Sequence, residues 1–212
     1  MSKIITVPWG SLERGAAPAF IIAGAAFLVG LVLTVQDAVS VLNTLSAFLA
    51  AGALLTTFVG LLGMYPRLDD SAPRLALVGV LAAAVALVSV TTLLAYVVGS
   101  ALLLGTPMQG EIGIAPVLFL LGLVTAGLSF LTFGVASVRT RVPSRTVGML
   151  LLIPAVAWPG YMAVDRLLPG DIRFLPLVVF AVVALVLLAI GYLLRTGTAP
   201  VDRRERESEP TA

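Results

Sequence analysis

Residues 75–104 form a run of thirty positions without one charged side chain. A helix of that length, at about 1.5 Å per residue, reaches roughly 45 Å and exceeds the ~30 Å hydrocarbon core of a bilayer. Five further uncharged runs accompany it, at 15–36, 45–64, 114–138, 146–164 and 174–194. Together they predict an all-α polytopic membrane bundle of six spans, with one membrane domain over 15–194. Residues 1–14 are expected to form a short cytoplasmic or interfacial N-terminal segment, either a loosely ordered tail, the favoured reading, or one lying at the interface with Trp9 as an aromatic anchor, and 195–212 a charged, disordered tail. The first run is too long for the apolar region of a signal peptide and is read as an uncleaved span. Composition agrees: the chain is 59% hydrophobic and 11% charged, against roughly a quarter charged in ordinary globular chains.

Charge fixes an expected orientation. Short cytoplasmic loops collect Lys and Arg. Alternating the segments puts Lys3, Arg14, Arg67, Arg74, Arg139, Arg141, Arg145, Arg195, Arg203, Arg204 and Arg206 on one side, leaving Arg166 and Arg173 on the other. Both termini are therefore expected in the cytoplasm, and the location is the cell membrane. No basic face exists outside these loops, so no nucleic-acid partner is expected; the expected surroundings are the lipid bilayer.

The residue inventory removes whole classes of chemistry. The chain has no Cys and no His, which excludes thiol catalysis, Fe–S ligation, His-ligated haem, His-bearing zinc sites and Ser–His catalysis. None of the eleven acidic residues lies inside an uncharged run, which disfavours a carboxylate-based proton relay. Asp37 and Glu111 stand at outer helix ends, and the acids of the loop at 65–74 sit beside Arg67 and Arg74, as a solvated ion cluster would. No catalytic residue, cofactor or metal ligand is assigned, and an enzyme is not expected.

Small residues recur on the expected spans. Gly52, Thr56 and Gly60 at four-residue spacing predict a close-packing face on the second, and such faces also offer a route to a protein partner or a homo-oligomer. The fifth span carries Pro154 near its centre and Pro159-Gly160 a turn later. Each proline lacks an N–H and strains the carbonyl four residues back, at Leu150 and Ala155. Pro154, Trp158 and Pro159 are thus the candidate path or kink residues, since interrupted helices line transporter sites and also occur as plain kinks. Two helix pairs, the second with the third and the fourth with the fifth, enclose an Arg-bearing turn with a proline near the next helix, which suggests repeated hairpins.

The stretch Gly60-Leu-Leu-Gly-Met-Tyr-Pro-Arg-Leu-Asp-Asp-Ser-Ala-Pro-Arg-Leu-Ala76 resembles a segment of small multi-span membrane proteins of haloarchaeal type, whose function is unassigned. The resemblance implies a membrane fold and no activity. Two functions fit these residues: a non-catalytic accessory or structural membrane component, which the chemical absences favour, and a small transporter or channel for a neutral or weakly polar solute. A dry, packed bundle would favour the first, and polar groups converging at mid-depth the second.

Overall fold

The computed structural model describes residues 9–35, 40–104, 113–167 and 174–197, with side-chain surroundings for 11–34, 44–99, 113–161 and 175–197. Six α-helices follow one another: α1 (Trp9–Val35), α2 (Ser40–Asp69), α3 (Pro73–Leu104), α4 (Ile114–Thr140), α5 (Arg145–Leu167) and α6 (Phe174–Thr196). They pack in chain order as a closed ring. Each helix lies against the next, α6 returns to α1, and α2 also touches α4. Neighbours run antiparallel: Gly30 of α1 faces Ser46 of α2 while Gly63 of α2 faces Leu12 of α1, and Gly24 faces Leu188 of α6 while Gly191 faces Ala17.

This alternation brings Arg14, Arg67, Arg74, Arg139, Arg141, Arg145 and Arg195 to one end of the bundle, here called the basic end. Two tight turns close it. Between α2 and α3, the Ser71 and Ala72 amides donate to the Leu68 carbonyl at 3.2 and 2.8 Å. Between α4 and α5, Arg141 takes the left-handed conformation (φ 62°) and its N–H caps the Ser137 carbonyl. The Ser144 hydroxyl then accepts the Val147 N–H at 3.1 Å and starts α5, as a serine N-cap does. Arg67, expected among the acids of its own loop, pairs instead with Glu13 of α1 at 3.0 Å. The pair is partly exposed, so its worth is at most about 1 kcal/mol.

Helix ends depart from the sequence expectation in three places. Helix α1 begins at Trp9 rather than at 15, which puts Pro18 inside the helix and not in its first turn. Helix α2 begins at Ser40 and passes through Pro66 to Asp69, although Pro66 was expected to stop it at 64. Pro66 costs only the bond to the Leu62 carbonyl, one turn from an end whose last carbonyls lack helical partners anyway. Helix α5 extends to Leu167, taking in Asp165 and Arg166 that were expected in the loop. Residues 1–8, Gln36, Asp37, Glu111, Asp171, Arg173 and the tail from 198 lie outside the described residues, as do the side chains of Trp9, Asn43, Asp165 and Arg166.

Five helices are long and apolar enough to cross a membrane, over Ser11–Thr34, Thr44–Asp69, Pro73–Gly99, Ile114–Thr140 and Leu175–Thr196. Large apolar side chains point outward along them, Val88, Val117 and Leu120 among them. An exposed apolar surface of that extent belongs against lipid or another protein, not water. The molecule is a membrane protein on this ground.

Packing is closest where glycine stands. A Cβ on Gly63 would collide with the Leu12 carbonyl, and one on Gly24 would come within 2.7 Å of the Ala184 carbonyl. One on Gly148 would lie 2.7 Å from the Val138 nitrogen and 2.9 Å from the Gly134 carbonyl. Absent side chains let these backbones meet, which is how helices associate when lipid removes the hydrophobic drive between them. The expected face on α2 is only half right. Gly60 is buried under the Phe20 ring at 3.0 Å, but Gly52 is exposed with nothing within 4 Å. At about 100° per residue, positions eight apart stand roughly 80° apart around a helix, so a four-residue stripe rotates off the contact. The buried positions of α2 are Ala53, Thr57, Phe58, Gly60, Leu61, Gly63, Met64 and Leu68. Accordingly, Gly24→Leu or Gly148→Leu should lower stability in detergent by about 1–3 kcal/mol or abolish folding, while Gly52→Leu leaves the melting temperature unchanged.

Candidate functional site

Burial is one-ended. In α1 the buried positions run from Ala16 to Gly30, in α2 from Ala53 to Leu68, and in α3 from Ala76 to Ser89. In α4 they run from Gly122 to Ser137, in α5 from Val147 to Pro154, and in α6 from Val183 to Leu194. Each of these segments adjoins or approaches the basic end. Toward the other end no described residue is buried in 31–34, 44–52, 90–99, 113–121, 155–161 or 175–182. A straight, parallel-sided bundle would bury an inner stripe along its whole length. The inner stripe stops near mid-depth in α2, α3, α5 and α6 and reaches further in α1, to Gly30, and in α4, to Gly122, so the basic end is the more closed half of the bundle and the other the more open.

Pro154 marks the level where closure ends on α5. It is among the most completely buried side chains, and from Ala155 onward the helix has no buried position. Trp158, one turn further, is half-buried and meets Phe180 of α6 edge to face, with ring centroids 5.0 Å apart at 89°. Phe180 also touches Phe27 of α1, centroids 6.0 Å apart. Three helices thus contribute one ring each to a cluster at the boundary between the closed and the open halves. Pro159 and Gly160 are exposed, and nothing stands within 4 Å of a Cβ on Gly160. Of the three residues singled out in sequence, the structure brings Pro154 and Trp158 to this level and puts Pro159 on a different face. Helix α5 itself runs without interruption through both prolines. Phe27 and Phe180 were not foreseen, because a contact between helices leaves no mark in the spacing along either one.

Polar groups in the closed half are occupied by the backbone. Thr57 donates to the Ala53 carbonyl at 2.8 Å and Thr132 to Leu128 at 2.9 Å, each within its own helix. Ser129 crosses from α4 to donate to the Gly79 carbonyl of α3 at 3.0 Å. Ser137 is buried with no protein partner for its hydroxyl. In the open half, the Thr34 and Ser46 hydroxyls meet at 2.6 Å, and Ser46 also donates to the Gly30 carbonyl at 3.0 Å. These hydroxyls and rings carry no charge. Among the described residues no group of three Asp or Glu side chains comes together, and no set of metal ligands is assigned.

Comparison of the chain with family models, with curated proteins and with solved structures gave no match. The geometry stands as the basis for assigning a role. If the Trp158–Phe180 contact is what holds α5 against α6 at this level, a double-mutant cycle with Trp158→Ala and Phe180→Ala should give a coupling of about 0.5–1.5 kcal/mol. Additive losses in thermal unfolding would remove the pair from the account.

Proposed function

We propose that the chain is a six-span protein of the cell membrane, with both termini cytoplasmic, that passes a neutral or weakly polar solute through the space between its helices. The observation that carries this reading is the one-ended closure. A bundle serving only as a packed structural element gains nothing by packing its helices less closely toward one end, where van der Waals contact is the main source of its stability. A carrier needs a wet approach to a closed level. Six spans are favoured because α5 lies in the ring between α4 and α6, with tight or short connections on both sides. The gathering of seven Arg side chains at one end supports a cytoplasmic basic end, so the open half faces outward. The ring cluster of Phe27, Trp158 and Phe180 and the Thr34–Ser46 hydroxyl pair of the open half, all uncharged, argue for an uncharged solute.

The accessory role draws support from a different observation. The closed half is apolar, and most of its hydroxyls are spent on carbonyls, which is the dry packing expected of a structural component. Its partner surface would be the outward apolar faces. The small-residue stripes first suited to a homo-oligomer are largely used within the chain, at Gly24, Gly63, Gly148 and Gly191, while Gly52, Gly127 and Gly160 stay open.

Flux into proteoliposomes separates the two roles. With a panel of small polyols, amides and sugars, protein-containing vesicles should shrink and reswell faster than empty ones under osmotic challenge. The chain lacks Cys, so Trp158→Cys gives a single reactive thiol at the closed level. An impermeant thiol reagent added on the outward side should block flux in that variant. Vesicles indistinguishable from empty ones across the whole panel would favour the accessory role.

A further inference from the structure

A stretch early in α1 and the segment that leads into α4 share one sequence pattern. Glu13-Arg-Gly15-Ala-Ala17-Pro18, followed six residues later by Gly24, is matched by Glu111-Ile-Gly113-Ile-Ala115-Pro116 and Gly122, every identity 98 positions apart. The same offset pairs Leu33-Thr34 with Leu131-Thr132. It also aligns α3 with α6: Leu77, Val80, Ala83, Val85, Ala86, Leu87 and Val88 recur as Leu175, Val178, Ala181, Val183, Ala184, Leu185 and Val186. Matches among Ala, Val and Leu come cheaply in apolar helices, so the weight rests on the Glu–Gly–Ala–Pro–Gly set and on the geometry.

The geometry obeys the same offset. The place of the missing side chain on Gly24 is met by Leu188 and the Ala184 carbonyl of α6, each 2.7 Å away, and that on Gly122 is in ordinary contact with Val90 and Ser89 of α3, each at 3.5 Å. Gly24 and Gly122 stand 98 apart, and so do Val90 and Leu188. At the level of whole helices, α1 has its largest interfaces with α2 and α6, and α4 with α3 and α5, while the α2–α3 and α5–α6 interfaces are smaller. The close glycine contacts between helices, at Gly24, Gly30, Gly60, Gly63, Gly79, Gly122, Gly134, Gly148 and Gly191, fall within the triplets α6–α1–α2 and α3–α4–α5 and never across the two smaller interfaces.

We propose that the chain is built from two inverted copies of one three-helix unit, and that its two triplets rock against each other at the α2–α3 and α5–α6 seams to close either end in turn. The repeating unit is three helices, not the two-helix hairpin that the Arg turns suggest. Three is an odd number, so the second copy enters the membrane from the opposite side, and the relating axis lies in the membrane plane. Equivalent residues in such a pair exchange environments when the molecule changes state. They already differ here: Ala16, Ala19 and Ala23 of α1 are buried at the basic end, while Ile114, Val117 and Leu121 of α4, their counterparts, are exposed at the other. The structure is then one of two related conformations, the one closed at the basic end. The close contacts lie inside the triplets and the soft contacts between them, which is the distribution a rigid-body exchange requires.

This inference deepens the transport reading, and the two can fail separately. Spin labels on cysteines at exposed positions of the full chain in nanodiscs supply the test. Arg74→Cys with Arg145→Cys lies within one triplet and should give one narrow distance. Arg14→Cys with Arg145→Cys, across the triplets at the basic end, should give two distances. Thr92→Cys with Val178→Cys, across them toward the other end, should also give two, the long population at one end matching the short population at the other. A single narrow distance for both cross-triplet pairs overturns the proposal, as does a within-triplet spread as wide as the cross-triplet one. Two distances without solute flux uphold the exchange and remove transport, whereas flux with a single distance removes the exchange.

Discussion

The fold depends on backbone contact at the basic end. In lipid, moving an apolar side chain from tail to helix gains little, and association rests on close van der Waals contact and on hydrogen bonds between helices. Glycine supplies that closeness at Gly24, Gly63, Gly148 and Gly191, where another helix's backbone stands where a Cβ would be. Around these contacts sit the large buried side chains Phe20, Phe58, Met64, Phe133, Leu151 and Leu187, which fill the middle of the ring. The tight turns after Leu68 and Ser137 and the Arg67–Glu13 pair follow from this closure and reinforce it.

The open half is the other side of the same arrangement. Helices held firmly at one end can separate at the other along the α2–α3 and α5–α6 seams without losing their base. The Thr34–Ser46 hydroxyl pair holds α1 to α2 in the open half, and the Trp158–Phe180 contact spans the α5–α6 seam at the boundary level. The boundary level is where the rings of Phe27, Phe180 and Trp158 meet, one turn beyond Pro154, and where a solute moving from the open side would first encounter closed packing.

Much of the fold is legible in the sequence because charge is excluded from the spans at a cost of at least ~2.5–3.5 kcal/mol per residue at the bilayer centre. The charge-free runs therefore locate all six helices, and Pro73 and Pro116 mark two of their first turns as expected. Ends are less legible. A proline stop rule fails at Pro66 because a missing hydrogen bond near a helix end costs little, and α1 begins at Trp9 because polar residues such as Ser11 and Glu13 enter a helix easily. The stripe from Gly52 to Gly60 misleads because helical phase drifts over eight residues. Pro154 and Trp158 stand out locally, but Phe180 acquires its place only through α5 and α1. The 98-residue offset is obscured because apolar helices draw on few residue types, and α2 and α5 have kept few identities in common.

Amide hydrogen exchange in lipid nanodiscs tests the one-ended closure most directly. The two parts of α3 have similar apolar composition and differ in whether water reaches their inner face, and the same holds for α6. The account predicts slow exchange at 76–89 and 183–194 and clearly faster exchange at 91–99 and 175–182, at equal lipid composition. Equal protection along the full length of both helices would mean that the bundle is closed throughout, and would contradict it.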